Sequence, residues 1–284
     1  MVTKVGLVLE GGAMRGMYTA GVLDTFMDNN IKIDGIVGVS AGALFGVNYF
    51  SKQKGRVIRY SKKYCRDLRY MSLPSLIFTG NIVNKHFAFY KVSQKLDIFD
   101  NETYVKNKKE FYAVVTNIEN GKAEYLKIDN CIEQLEALRA SSAMPMASKV
   151  VEINNKKYLD GGISDSIPID KCLELGYDKI IVVLTRPLNY RKKPLSEKVV
   201  KTLKRKFRNY PNLVDTMEKR HKTYNEVVEK IIDLENKKEI FVIRPTEDIN
   251  VNIIERSKDK LQKVYDLGVQ DCKKQLEHLK KYLN

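Results

Sequence analysis

The segment IVGVSAGALFGV, residues 36–47, carries the pattern that decides the fold of this 284-residue chain. Its first four residues form an apolar run that is typical of a buried β-strand. The stretch after Ser40 predicts a helix, so Ser40 falls on a sharp strand-to-helix turn. The small residues Gly38 and Gly42 avoid clashes in such a turn, which exposes the serine Oγ above the sheet. The partly positive helix N-terminus would point at the serine.

A glycine-rich turn, Gly11-Gly12-Ala13-Met14-Arg15-Gly16, lies upstream between a strand predicted over 4–9 and a helix predicted over 14–29. Glycines in this position let backbone amides gather around a negative oxygen. Two nucleotide-binding motifs fit less well. A P-loop ends in Gly-Lys-Ser/Thr, which is absent here. A Rossmann fingerprint needs a third glycine, where Ala13 stands, and an acidic residue ending the second strand, whereas Asp34 precedes that strand.

A third motif, Asp160-Gly161-Gly162, follows a predicted β-hairpin that turns at Asn154-Asn155. An isolated Asp-Gly-Gly sequence is usually a plain turn. With a candidate nucleophile and a candidate anion-binding loop in the same chain, Asp160 becomes a candidate carboxylate partner for Ser40. No histidine lies near any of the three motifs, so the combination points to acyl-ester hydrolysis by a serine–aspartate dyad.

In this order the three motifs resemble those of the patatin-like phospholipase family. The segment 140–145, Ala-Ser-Ser-Ala-Met-Pro, is also similar to the family's Ala-Ser-x-Ala-x-Pro sequence, and the resemblance covers roughly residues 5–185. It implies an α/β fold, a three-layer α/β/α sandwich with a mostly parallel central sheet. It assigns Ser40 as nucleophile and Asp160 as general base.

The same resemblance places the oxyanion hole on the glycine loop, at Gly11, Gly12, Ala13, Arg15 and Gly16. The first three would contribute backbone amides, and Arg15 would support the loop. The family usually has a third glycine where this chain has Ala13. Alanine suits the position if φ is negative, whereas a positive φ would strain the loop and reduce activity.

The activity that the resemblance implies is hydrolysis of acyl esters of lipids, similar to phospholipase A or lysophospholipase. One alternative is a catalytically idle protein that binds lipid or nucleic acid on the same scaffold. Another is a Ser-Asp-His esterase using Ser40, Asp160 and His221. However, Ser40 follows only the second predicted strand, unlike in α/β-hydrolases, and His221 lies in the apolar stripe of a predicted helix, as expected of a packed core histidine. His86 and His278 lie in an aromatic-rich insertion and a charged terminal helix.

Composition predicts one enzyme domain with additions. A chain of 284 residues with 43% apolar side chains can bury a sizeable core. We expect a catalytic core over 1–190, containing an aromatic-rich insertion at about 66–100, and a basic, mostly helical extension over 191–284. The insertion either packs as ordinary helices or forms a cap lining an acyl-chain pocket. Further strands are predicted at 111–118, 123–128, 179–185 and 239–243, and helices at 132–142 and 169–175.

Localisation is predicted to be cytoplasmic. No apolar run approaches the roughly 18 residues of a membrane span, and the first strand begins too early to leave room for a signal peptide. The four cysteines show no paired spacing and are expected to be reduced thiols. Three scattered histidines and no carboxylate cluster indicate no metal site, and no cofactor is expected.

The charge of +15 suggests an anionic partner. Ten basic residues against one acid, Glu197, fall between 186 and 208. Over 195–207 an apolar stripe recurs every four residues: Leu195, Val199, Leu203 and Phe207. This layout is typical of an interfacial helix, which predicts peripheral contact with anionic lipid at the inner membrane face. The same stripe could instead pack on the enzyme. No nucleic-acid motif accompanies the charge, so no nucleic acid is expected.

Overall fold

An eight-stranded β-sheet organises the computed structural model, which describes residues 3–284. In chain order the strands are β1 (Val5–Leu9), β2 (Gly35–Val39), β3 (Glu110–Asn117), β4 (Ala123–Lys127), β5 (Val151–Ile153), β6 (Lys156–Asp160), β7 (Lys179–Val183) and β8 (Ile240–Ile243). Across the sheet the order is β5-β6-β3-β2-β1-β7-β8, with β4 also paired to β3. The strands from β3 to β8 in this order run parallel, and β4, β5 and β6 pair antiparallel.

Helices cover both faces of this sheet. Within residues 3–284 the α-helices are α1 (Gly16–Asp28), α2 (Ala41–Phe50), α3 (Arg56–Tyr64), α4 (Leu73–Thr79), α5 (Asn101–Asn107), α6 (Leu135–Ser141), α7 (Ile169–Glu174), α8 (Glu197–Lys206), α9 (Pro211–Asn236) and α10 (Lys258–Leu283). Short 3-10 helices span Ala13–Arg15 and Gly161–Ile163, and a π-helix spans Lys85–Leu96.

Alternation along the strands separates two hydrophobic layers. Leu7 and Leu9 of β1 point into the layer that holds α1, α2 and α10, whereas Val8 points into the layer that holds α7 and α9. This period-two pattern is what a sheet buried on both faces requires. It confirms the predicted three-layer α/β/α sandwich with a mostly parallel sheet. Each predicted strand is present, with ends that differ by no more than about two residues.

Two strands share one edge of β3, and this arrangement sets up the candidate site. Strand β2 pairs with the first part of β3, ending with Val39 beside Val114. The last residue of β6, Asp160, lies beside the next residue, Val115. Because β4 occupies the other edge of β3 along both stretches, β2 and β6 must lie end to end. The chain leaving β2 therefore meets the chain leaving β6.

The β5–β6 hairpin turns at the predicted position. Asn154 and Asn155 both have positive φ, 51° and 62°, which a two-residue type I′ turn requires. This turn fixes the register of β6 against β5, with Ile153 beside Lys156. Asp160 is thereby held at the exit of the hairpin, as the sequence predicts.

The region after residue 190 adds elements to the same sheet and layers. Strand β8 pairs with β7 at the sheet edge, α9 covers one face, and α10 packs along α1 on the other. A domain division at residue 190 stays a prediction. Among residues 3–284, none of the helices combines the length and the apolar character needed to cross a bilayer. The four cysteines are buried free thiols. Residues 1 and 2, on which the signal-peptide prediction partly rests, lie outside the described range.

The apolar stripe of the basic segment is divided between core and surface. Leu203 and Phe207 are buried against a cluster that includes Leu213 of α9. Leu195 and Val199 remain 41% and 43% exposed. Half of the stripe therefore packs on the rest of the protein, as the alternative to a membrane-binding face predicts.

Helices α1 and α10 approach so closely that glycine is required on both. A Cβ on Gly268 would lie 2.1 Å from the Tyr18 carbonyl oxygen, and one on Gly21 would lie 2.2 Å from the Tyr265 carbonyl oxygen. Backbone atoms cannot move aside without separating the helices. Each glycine lowers the helix propensity of its segment but allows the two helices to pack closely.

We predict that Gly268→Ala destabilises the protein by about 1–3 kcal/mol, because the new methyl group overpacks the α1–α10 contact. Denaturant unfolding would measure this loss. Lys273→Ala, at an exposed position of the same helix, is the matched control and should change stability by no more than about 0.5 kcal/mol. Without the contact, glycine-to-alanine in a helix stabilises, so a more stable Gly268→Ala protein would contradict this packing argument.

Candidate active site

Ser40 and Asp160 are in direct contact. The Ser40 Oγ donates a hydrogen bond to Asp160 Oδ2 at 2.8 Å. The two residues are only 8% and 7% exposed. Ser40 has φ 53° and ψ −118°, a conformation that L-residues rarely adopt and that the strand-to-helix turn imposes. The structure therefore brings together the two residues that the sequence singled out.

The neighbouring glycines of the turn have no room for side chains. A Cβ on Gly38 would lie 2.9 Å from the Ala43 Cα. A Cβ on Gly42 would lie 2.6 Å from the carbonyl oxygen of Leu9. These contacts explain why the turn tolerates only glycine on both sides of Ser40.

Asp160 lies where burial disfavours its charge. This burial raises the pKa of the Asp160 carboxyl above its ordinary value, although three neighbours act in the opposite direction. They are the Gly162 amide, which donates to Oδ1 at 2.7 Å, the Ser40 hydroxyl, and the positive charge of Arg220. Gly161 allows the close approach, since a Cβ there would lie 2.2 Å from the Val114 carbonyl oxygen.

A second serine, Ser141 at the end of α6, orients the turn. Its Oγ accepts a hydrogen bond from the Ser40 backbone amide at 2.9 Å. Two residues further on, the Ala143 carbonyl accepts from the Asp160 amide at 2.9 Å. One short segment thus contacts the backbone of both members of the pair. The sequence indicated this segment only by resemblance, and nothing in its local pattern predicts the contacts.

The glycine loop passes beside Ser40. A Cβ on Gly11 would lie 3.2 Å from the Ser40 Cβ. The Gly11 amide donates to the Ser166 carbonyl at 3.4 Å, whereas the Gly12 and Ala13 amides donate to no acceptor among residues 3–284. Two of the three amides expected to face an oxyanion are therefore free to do so. Gly16 closes the loop against α2, since its Cβ would lie 2.8 Å from the Ala41 Cβ.

Ala13 departs from the backbone that alanine prefers. Its φ is 47°, in the left-handed region, so the positive-φ condition considered in the sequence analysis applies. A left-handed L-residue costs roughly 1–2 kcal/mol relative to its favoured conformation. The candidate oxyanion loop therefore carries strain at a residue whose amide is free.

Arg15 contributes to the loop mainly through its backbone. Its amide donates to the Gly12 carbonyl at 3.0 Å. Its side chain donates no hydrogen bond to the loop in the described part of the chain, and its Nε is buried without a partner. Burial and the neighbouring charge of Arg186 lower the pKa of the guanidinium, with Glu10 opposing them.

An apolar cavity of about 130 Å³ opens from Ser40. Its walls come from α2 and from the aromatic-rich insertion, which contributes Tyr70, Met71, Val83, Ala88, Phe89, Val92 and Phe99. The insertion therefore packs into the core, as the first interpretation expects, and also lines this pocket. Its role as a cap over an acyl chain stays a prediction. The cavity suits an aliphatic chain better than a polar ligand.

The histidines take no part in this arrangement. Within residues 3–284, none of the three hydrogen-bonds to Ser40 or Asp160. His221 was expected in the core, but it is half-buried and lines a surface groove, with Nδ1 3.0 Å from the Glu218 carbonyl oxygen. His221 lies at the edge of the apolar stripe, between the face of α9 that packs on the sheet and the face in contact with solvent. Across the described residues, no three or more His, Cys, Asp or Glu side chains group as metal ligands.

Two family models and several known proteins are similar to this chain. The family model for patatin-like phospholipase matches residues 7–173, and a model described as a domain of unknown function (DUF6363) matches residues 210–284. The chain is 28% identical over 188 residues to the uncharacterized protein YjjU of Escherichia coli, covering 65% of this chain and 52% of that one.

Two further relatives have names that state an activity. The probable lipid hydrolase 463L of Invertebrate iridescent virus 6 is 26% identical over 181 residues, covering 58% of this chain and 61% of that one. The lysophospholipase nte1 of Aspergillus niger is 29% identical over 199 residues, covering 63% of this chain and 12% of that one. The chain thus spans about half to three-fifths of the first two relatives. Because the family model covers more than half of the sequence, the protein belongs to the patatin-like phospholipase family.

Proposed function

We propose that this protein hydrolyses acyl esters of lipids, in the manner of a phospholipase A or lysophospholipase. The observation that carries the proposal is the 2.8 Å hydrogen bond from Ser40 to buried Asp160 at the end of an apolar cavity. The printed names of two relatives, a probable lipid hydrolase and a lysophospholipase, support the same class of substrate.

Acylation begins when the Ser40 Oγ attacks the ester carbonyl carbon. Asp160 Oδ2 takes the hydroxyl proton as the C–O bond forms. The raised pKa of Asp160 makes it a better base than an ordinary aspartate, because the buried carboxylate holds a proton more tightly. The tetrahedral intermediate then collapses, and protonated Asp160 returns the proton to the departing alcohol oxygen.

The free amides of Gly12 and Ala13 are placed to stabilise the negative oxygen of the intermediate. A preorganised donor of this kind typically contributes about 2.7–4 kcal/mol to the transition state. Deacylation repeats the chemistry with water. Asp160 removes a proton from water, hydroxide attacks the acyl carbon, and the proton returns to Ser40 as the fatty acid leaves.

To act on lipid, the protein also needs a surface that contacts the membrane. Helix α4 of the aromatic-rich insertion exposes one apolar face, with Leu73, Ile77 and Phe78 at 61%, 77% and 86%. The helix is flanked by Met71 and Val83, which bridge to each other and line the acyl cavity. We propose that α4 inserts into an anionic membrane surface, with the basic face of α8 as a second, electrostatic contact.

We predict that Ser40→Ala and Asp160→Asn lower hydrolysis of a p-nitrophenyl acyl ester by about 10³-fold or more, because each removes one half of the dyad. Steady-state rates would measure this, with circular dichroism to confirm folding. As controls, His86→Ala, His221→Gln and His278→Ala should keep most of the activity. A folded histidine variant as inactive as Ser40→Ala would contradict the dyad mechanism.

We predict that Ala13→Gly raises kcat, by up to about tenfold, because it relieves the left-handed strain next to a candidate oxyanion donor. Ala13→Val is the matched opposite change. A β-branched residue tolerates positive φ still less, so its kcat should fall below wild type. Rates on the same p-nitrophenyl ester would compare the three proteins. A slower glycine variant would show that the strain does not limit turnover.

We predict that the triple change Leu73→Ser, Ile77→Ser and Phe78→Ser weakens vesicle binding at least about tenfold at every salt concentration, because each buried apolar side chain stabilises insertion by about 1.5–3 kcal/mol. Co-sedimentation with anionic phosphatidylglycerol vesicles would measure this. Leu173→Ser, an exposed leucine on α7, is the control and should bind like wild type.

A variant of α8 that lacks its positive charges distinguishes the electrostatic contact from the insertion of α4. Replacing Lys198, Lys201, Lys204 and Arg205 of α8 with glutamine should remove only the salt-sensitive part of vesicle binding, since each basic residue contributes about 1 kcal/mol. Hydrolysis of a soluble ester should be unaffected. Wild-type vesicle binding by the α4 triple variant would refute the assignment of α4 as the inserting helix.

A further inference from the structure

Four cations converge behind the glycine loop. Burial, together with the nearby charges of Arg220, Arg15 and Arg186, lowers the pKa of Lys192 to about 7, with Glu10 opposing. Arg186 in turn lowers the pKa of Arg15. Lys192 thus lies within electrostatic reach of three guanidinium groups. Such a concentration of like charge destabilises a folded protein unless an anion compensates it.

The nearby carboxylates of Glu10 and Asp160 offset this positive charge only in part. Both oxygens of Glu10 are engaged, Oε2 by the amide and hydroxyl of Thr185 and Oε1 by the Tyr224 hydroxyl at 2.8 Å. The oxygens of Asp160 accept from Ser40 and Gly162. Among residues 3–284, none of the four cations forms a salt bridge with either carboxylate.

Two of the cations instead lie over aromatic rings, and the other two each have a guanidinium nitrogen without a hydrogen-bond acceptor among the described residues. The Lys192 Nζ lies 4.4 Å from the centroid of the Tyr224 ring, and the Arg186 guanidinium lies 4.2 Å from that of Tyr190. Within the described residues, the Nε atoms of Arg15 and Arg220 are both buried without a hydrogen-bond acceptor. Unsatisfied buried donors are costly, and the one on Arg220 points to a ligand that accepts from that side chain.

This cluster opens to the surface beside the dyad. Of the four cations, Lys192 and Arg220 line a groove of about 320 Å³, together with Lys193, His221 and a mostly apolar wall that includes Ile163, the residue that follows Gly162. Arg220 also reaches the Ser166 hydroxyl, with its Nη2 3.4 Å from Oγ. The groove therefore lies on the Asp160 side of Ser40, and its lining is distinct from that of the acyl cavity.

We propose that Lys192 and Arg220 bind a phosphate group in this groove, with Arg15 and Arg186 adding positive potential. A phosphate group offers several charged acceptor oxygens, which match a fork of guanidinium donors beside an ammonium. Arg186, Lys192 and Arg220 all lie beyond residue 173, where the match to the patatin-like model ends. The site therefore belongs to the part of the chain that follows the family's shared motifs.

The position of the groove suggests a use in catalysis. Protonated Asp160 must deliver its proton to the leaving alcohol, so that alcohol lies on the Asp160 side of Ser40. A phosphate carried by the leaving group would then reach Lys192 while the acyl chain occupies the apolar cavity. This assignment to the substrate rests on the proposed function, whereas binding of a phosphate group does not.

Binding of inorganic phosphate tests the site without any catalytic step. In the Ser40→Ala background, calorimetric titration should give measurable phosphate binding that weakens at least about tenfold in Lys192→Gln and in Arg220→Gln, since each loses a charge-assisted hydrogen bond. Lys273→Gln, which removes an exposed charge from α10, is the matched control and should bind like the parent. Absence of binding by the parent, or equal binding by folded Lys192→Gln, would overturn the proposal.

A pair of esters with the same acyl chain identifies the source of the phosphate. If the lipid carries it, Lys192→Gln in the active enzyme should raise KM for a lysophosphatidylglycerol at least about tenfold and leave KM for the neutral monoacylglycerol unchanged. If free phosphate is the ligand, the two esters should respond alike while phosphate binding is still lost. An enzyme inactive on both esters would contradict the proposed function and leave the phosphate result to stand by itself.

Discussion

The structure depends on one shared strand edge. Strand β3 pairs first with β2 and then, one residue further on, with β6, so Val114 lies beside Val39 and Val115 lies beside Asp160. Strand β2, which runs parallel to β3, and strand β6, which runs antiparallel to it, thus end opposite each other along one edge of β3. This ladder of hydrogen bonds brings Ser40 and Asp160 together, and the Ser141 side chain orients the turn at Ser40. A one-residue shift in register would move Asp160 to the opposite face of the sheet.

The same constraint makes strained conformations possible. Ser40 and Ala13 both hold positive φ next to the end of the sheet, where strands, α2 and the 3-10 turn fix the chain on every side. Strain of this kind persists only where the surrounding structure over-determines it. The buried charge of Asp160 depends on the same rigidity, since a mobile site would admit water and lose its raised pKa.

The sequence predicts the local features of this site and misses those that depend on distant contacts. Ser40 and the glycine loop stand at strand ends marked by glycine and apolar runs, so local pattern singles them out, whereas Asp160 becomes a candidate only together with the other two motifs. The contact of Ser141 with the Ser40 amide and the cations around Lys192 join residues far apart in the chain. No local pattern encodes such contacts. Periodicity likewise predicts an apolar stripe at Leu203 without saying which surface covers it.

The packing of α10 on α1 links the candidate oxyanion loop to the far part of the chain. Helix α1 begins directly after that loop, and its partner at Gly268 is separated from Gly21 by most of the sequence. During synthesis, α1 therefore lacks its docking surface until α10 has left the ribosome. A contact of such high sequence separation also slows folding. The nascent chain would consequently hold Ser40 without a settled loop beside it until α10 has docked on α1.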